Sequence, residues 1–142
     1  MVIGDVDHSA IGKGLLVLLG VKSGDSDIEA DAMAERCSNI RVFDDSEGKM
    51  NLSVQDIDGS VMVVSQFTLY GDARRGNRPS YSEAAEPKEA ERLYQRFLDS
   101  MIRVLGSDRV ASGVFRATMR VELVNDGPVT IQLESKSNNP SA

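Results

Sequence analysis

Residues 119–134 read MRVELVNDGPVTIQLE, two runs in which apolar and polar side chains alternate, joined by Asn125, Asp126, Gly127 and Pro128. Alternation with period two marks a strand with one buried face, because successive side chains leave a pleated strand on opposite sides. Met119, Val121 and Leu123 share one face of the first run; Val129, Ile131 and Leu133 share one face of the second. Two such runs around a Gly-Pro turn predict a hairpin, and a hairpin pairs its strands antiparallel.

Upstream of this hairpin, Pro87 opens a helical pattern, a position where its missing N–H costs nothing. Ala90, Leu93, Tyr94, Phe97, Leu98, Met101, Ile102 and Leu105 recur at three- and four-residue steps, and Gly106 follows as a C-cap. Such a stripe predicts a helix laid over a sheet. GKGLLVLLGV and SVMVVSQF are apolar strands, and residues 26–40 form a second helix whose apolar stripe includes Cys37. A thiol on that stripe reads as a small core side chain rather than a nucleophile. IRVF, the turn DDSEGK and MNLSV predict a further hairpin. Several hairpins with two helices point to an α+β fold in one domain, residues 1–134, and SKSNNPSA at 135–142 reads as a disordered tail.

Composition narrows the function. The chain has 142 residues, 41% of them hydrophobic, enough for one packed domain. Its longest apolar run, residues 15–19, is far short of the ~20 residues that cross a membrane, and the amino-terminal VIGDVDHS carries acids where a secretion signal is basic. A cytoplasmic location is expected. One cysteine and one histidine exclude a disulfide framework and an ordinary zinc cluster. A net charge of −6 argues against a protein that coats long stretches of phosphate backbone.

Side-chain catalysis has little to work with. The single histidine, His8, lies in a polar stretch, which disfavours a Ser/His/Asp or Cys/His machine, and neither GxxxxGK[ST] nor GxGxxG is present. Asp25, Asp27, Asp44 and Asp45 sit in turn-like sequence and read as solvated. Catalysis would then rest on backbone N–H donors and on groups supplied by the substrate. SVMVVSQFTLYGD suits that role, since an apolar strand runs into Ser65, Gln66, Phe67 and Thr68. The bland alternative has Ser65 and Thr68 satisfying local backbone while Phe67 and Leu69 fill the core. In GDARRGNRPS, Arg74, Arg75 and Arg78 form either a solvated loop or a small nucleic-acid contact.

SQFTLY and NDGPVT together resemble the SQFTLY and NxGPVT motifs of the D-aminoacyl-tRNA deacylases, also called D-tyrosyl-tRNA deacylases. GKGLLVLLGV, GKMNLSV, RRGNRPSYSEAAEP and ATMRVELV resemble the same family in the same order, so that the likeness spans about residues 11–133. The resemblance implies mostly antiparallel, barrel-like β-structure covered by two main helices, in a homodimer. It implies hydrolysis of the ester between a D-amino acid, or glycine, and the terminal adenosine of a tRNA, without metal or organic cofactor. Carried over by position, the catalytic segment is Ser65, Gln66, Phe67 and Thr68. The motif that reads chirality is Gly127 and cis-Pro128, inserted into the partner's site and supported by Asn125 and Thr130. Phe115 and Met119 are implied for the adenosine, and Arg74, Arg75 and Arg78 for the acceptor end. Where family members begin with an earlier strand whose basic residue braces the Gly-Pro loop, this chain opens at MVIGDVDHSAIGKG. That first strand is expected to be missing.

Two chemical roles stay open for the SQFT segment: Thr68 as nucleophile, or backbone donors around Phe67 and Thr68 binding an oxyanion while the tRNA 2′-OH helps activate water. Two rival functions also stand. One is a non-enzymatic dimeric module that binds nucleic-acid ends; the other is a general small-ester hydrolase using Ser65 or Thr68.

Overall fold

In the structure, a computed structural model describing residues 1–135, the strands are β1 (Val2–Ile3), β2 (Val6–Asp7), β3 (Gly14–Leu19), β4 (Phe43–Asp44), β5 (Met50–Leu52), β6 (Ser60–Ser65), β7 (Val110–Ser112) and β8 (Met119–Arg120). Helix α1 (Asp27–Asn39) lies between β3 and β4, and helix α2 (Pro87–Leu105) between β6 and β7.

The fold is organised by β6. Val61 and Val63 point from it into the main core with Ala34, Phe97 and Met101, while Met62 and Val64 point the other way into a smaller core with Met1. A strand apolar on both faces belongs in the middle of a covered sheet, and β6 is the centre of the order β3-β6-β7. Both of its neighbours run parallel to it. This corrects the expectation of mostly antiparallel sheet. Each step between these strands passes through a helix, and a helical crossover brings the chain back in the same direction. Gly14 lets β3 approach closely, since a Cβ there would stand 1.7 Å from the Ser60 carbonyl oxygen. Antiparallel pairing among the described residues joins short strands, β1 with β2 and β8, and β4 with β5, and makes the isolated bridges Lys22–Ala84 and Asp72–Ser80. The α+β class with two main helices holds.

Both helices form where the periodicity placed them. On α2, Ala90, Leu93, Tyr94, Phe97, Leu98, Met101 and Leu105 are buried; Ile102, at the margin of the stripe, stays exposed. The Tyr94 hydroxyl donates to the Val63 carbonyl at 2.9 Å and ties α2 to β6. Ser26 stands before α1, and its N–H donates to the Glu29 carboxylate at 2.7 Å, half of a capping box. Cys37 is buried as expected, and desolvation pushes its thiol up to about 11. Arg96 donates to Asp31 at 2.9 and 2.8 Å, Ser100 donates to the same carboxylate at 2.8 Å, and Arg92 pairs with Asp27, so polar edges join the two helices.

Residues 119–134 depart from the expected hairpin. Only β8 is a strand, and it pairs with β1 rather than with residues 129–133. Met119, Val121 and Leu133 pack at the margins of the cores, while Leu123, Val124 and Ile131 are 60%, 90% and 51% exposed. The alternation is present, but its face is covered only at Met119, Val121 and Leu133, while Leu123, Val129 and Ile131 lie exposed. At the amino terminus, residues 2–7 form the β1–β2 hairpin that supplies the partner of β8. Of the tail expected to be disordered, residues 136–142 lie outside the described residues.

Candidate functional site

The parallel sheet ends at Ser65. The Gln66 N–H donates to the Leu19 carbonyl at 2.8 Å as the last rung, and the chain then winds into one 3-10 turn, Phe67–Tyr70. The turn is held by Leu69 N–H on the Gln66 carbonyl at 3.2 Å and by Gly71 N–H on that of Thr68 at 2.9 Å. The first N–H groups of a helical turn have no acceptor within it. Those of Phe67 and Thr68 make no hydrogen bond among the described residues. The Gln66 amide donates to the Thr68 hydroxyl, and Thr68 has no basic side chain as partner.

Beside this strand end lies a cleft of about 390 Å³. Ser65, Gln66 and Phe67 line it on the strand side, Phe115, Met119, Val121, Val21, Ala85 and Ala90 add apolar surface, and Arg116 is the charged residue of its lining. No histidine or carboxylate lines it. Phe115 also packs against the Tyr94 ring at 6.1 Å and Met119 against the smaller core, so each serves both core and cleft. A more open hollow of about 450 Å³ lies over Asp27, Arg92 and Arg96. Those side chains are engaged in ion pairs with one another or with Asp31 and Glu89. Among the described residues no three His, Cys, Asp or Glu side chains stand close enough to share a metal ion.

Gly127 and Pro128 do not line this chain's cleft. Their peptide bond is cis, and Gly127 has φ +151°, a conformation that L side chains rarely adopt. Asn125 braces this tip, its carbonyl accepting from the Val129 N–H at 2.9 Å and its amide donating to the Thr130 hydroxyl at 3.1 Å.

The three arginines do not act alike. Arg74 grips Asp72 through two bonds of 2.9 and 2.7 Å and, together with its own backbone N–H, holds that carboxyl down to about 2. Arg75 and Arg78 are exposed and have no ion pair among the described residues. Reciprocal backbone bonds between Asp72 and Ser80, at 2.7 and 2.8 Å, close the loop that carries them. Tyr81 follows at once, and its ring meets that of Phe67 at 5.1 Å, edge to face. Sequence reasoning missed Tyr81 and the tie made by Tyr94. The signal for Tyr81 was an aromatic between serines, without helical or strand periodicity to bury it.

A largely apolar cleft at a strand's carboxyl end, with the unpaired N–H of Phe67 beside it and no acid or histidine in its described lining, offers backbone donors and shape as its chemistry. The comparisons with known proteins make this particular. The chain belongs to the D-Tyr-tRNA(Tyr) deacylase family, whose model matches residues 2–134. It is 52% identical over 140 residues to a D-aminoacyl-tRNA deacylase of Geobacter sulfurreducens, covering 96% of this chain and 91% of that one. To the D-aminoacyl-tRNA deacylase of Koribacter versatilis it is 56% identical over 127 residues, 89% of this chain and 84% of the relative. Among solved structures, the c-Myc DNA unwinding element binding protein is similar with a TM-score of 0.91 and 39% identity, covering 96% of this chain and 91% of its own. A probable eukaryotic D-amino acid tRNA deacylase shares the fold, with a TM-score of 0.66 at 17% identity over 85% of this chain and 86% of its own.

Proposed function

We propose that the chain is a D-aminoacyl-tRNA deacylase, hydrolysing the ester between a D-amino acid and the terminal adenosine of a tRNA. The observation that carries this reading is the unpaired N–H of Phe67, which lines the apolar cleft, followed by that of Thr68 next to it in the chain. Water adds to the ester carbonyl, whose electron pair moves onto oxygen, and the two N–H groups bind that oxyanion. The intermediate then expels the ribose oxygen, which takes up a proton, leaving tRNA and the free amino acid. The adenosine lies against Phe115 and Met119, and the terminal 2′-OH helps to activate the water. A preorganised oxyanion hole contributes roughly 3–4 kcal/mol to such a step, which suits a site lined by no histidine or carboxylate. In this reading Thr68 offers its backbone N–H and is not the nucleophile. Thr68→Ala therefore keeps near-normal turnover, and loss of turnover with tRNA binding intact would make Thr68 the nucleophile.

The functional form in this reading is a homodimer in the cytoplasm. The Gly127–Pro128 tip of one subunit enters the cleft of the other, where its two carbonyls crowd the side of the α-carbon from which an L side chain would project. A D side chain points away, and glycine has none to exclude. Asn125 and Thr130 keep the tip rigid. Exposed Leu123, Val124 and Ile131 support an interface on this arm, because neighbouring apolar side chains left in water mark a surface that another one covers. Only the acceptor end has to be held, so Arg75 and Arg78 suffice despite the net charge of −6.

A second reading is a non-enzymatic dimeric module that binds nucleic-acid ends, favoured by the likeness to a protein named for binding a DNA unwinding element. One assay separates these from a general esterase: release of amino acid from D-tyrosyl-tRNA, L-tyrosyl-tRNA and a nitrophenyl ester. The deacylase reading expects turnover of the first alone. Binding of tRNA without turnover would favour the second reading, and equal rates on the two enantiomers would reject stereospecific deacylation.

A further inference from the structure

Phe67 lies on the rim of the cleft with 57% of its surface exposed, and Tyr81 beside it is 40% exposed. Two adjacent aromatic rings left this open do not serve the core. Their arrangement, 5.1 Å apart with planes at 65°, leaves ring faces that a parallel stack would cover. The ring of Tyr81 lies close over Gly71, where an added Cβ would stand 3.0 Å from its Cε1. Tyr81 also follows directly on the Asp72–Ser80 closure of the arginine loop, and chain geometry keeps the Arg75 and Arg78 backbones within about 11 Å of that closure. Cleft, Phe67, Tyr81 and the two uncommitted arginines thus succeed one another across the surface. Stacking rings followed by basic side chains are how proteins hold single-stranded nucleic acid without reading its sequence.

We propose that Phe67 and Tyr81 form a stacking subsite for the base of the nucleotide that precedes the terminal adenosine, with Arg75 and Arg78 on the flanking phosphates. This rests on the deacylase reading and adds to it a second nucleotide site. Tyr81 touches neither the ester nor the terminal adenosine. The test compares D-tyrosyl-tRNA with D-tyrosyl-adenosine, which has the ester and the terminal nucleoside but no preceding nucleotide. For Tyr81→Ala, KM for D-tyrosyl-tRNA rises about tenfold with kcat unchanged, as loss of one base stack requires, while kcat/KM for D-tyrosyl-adenosine stays at the wild-type value. Tyr81→Phe keeps the ring and behaves as wild type on both. Equal losses on both substrates, or an unchanged KM for the tRNA, would overturn the subsite while leaving the deacylase intact. If the wild type were inert on the short ester, the tRNA would decide alone: a rise confined to KM and reversed in Tyr81→Phe supports the subsite, and a fall in kcat overturns it. A wild type inert on both substrates would instead overturn the deacylase reading and the subsite with it.

Discussion

Helix α2 and residues 121–134 carry apolar patterns of equal clarity, yet the structure treats them in opposite ways. Seven side chains of the α2 stripe are buried, five in the main core with β6 and two in a cluster with Val21, whereas Leu123, Val124 and Ile131 stand in water. The difference teaches what periodicity reports. It reports that one face of an element is to be covered, and it does not say which chain does the covering. For α2 the cover is in the same chain; for the arm we assign it to a second copy.

The contrast is broken or sharpened by substitution on each side. Phe97 is fully buried at the centre of the α2 face. Phe97→Ala is expected to cost about 3–5 kcal/mol in chemical denaturation, the range for losing a large core side chain. Leu123→Asp with Ile131→Asp is expected to change the stability of the isolated subunit by less than about 0.5 kcal/mol. In sedimentation the wild type is expected at twice the 15.4 kDa chain mass and this variant at the single-chain mass. A loss as large as that of Phe97→Ala would mean that the arm is packed within its own chain.

Asn125→Ala removes the two bonds that brace the arm's tip. At about 1 kcal/mol for each bond, D-over-L selectivity falls by up to about thirtyfold, read from deacylation of both tyrosyl-tRNAs. A smaller effect belongs to the helix pair. Hydrogen bonds from Arg96 and then Ser100 hold the Asp31 carboxyl below its ordinary value of 3.8. A depressed folded-state pKa stabilises above the unfolded value and loses that contribution as pH falls. Asp31→Asn is therefore less stable than wild type at neutral pH, and thermal melts of the two converge as pH drops below about 4. Least perturbing of all, Cys37 stays unmodified by an alkylating reagent at about pH 8 until the protein is unfolded, because its buried thiol titrates near 11.

Much of the packed half was legible. Proline and glycine bracketed α2, Ser26 preceded α1, and the apolar run 61–64 marked the central strand. Strand direction was not legible, because GLLVLL and SVMVVS show no sign of the helix-linked return that makes them parallel. The arm misled for a related reason: alternation is a property of one strand, while pairing needs a partner whose position no local pattern records. At the site, SQFT and Gly127-Pro128 were visible as motifs and Phe115 and Met119 as candidates. Tyr81 was passed over because its use depends on the Asp72–Ser80 closure, which brings it back to Phe67.

The central claim is that the arm exposed on one chain completes the site of another and there tells D from L. Its most direct test is the D-over-L deacylation ratio of the Leu123→Asp/Ile131→Asp variant, measured while it is monomeric, beside that of the dimeric wild type. The account predicts a high ratio for the dimer and its collapse in the monomer; a monomer that keeps the full ratio would contradict it.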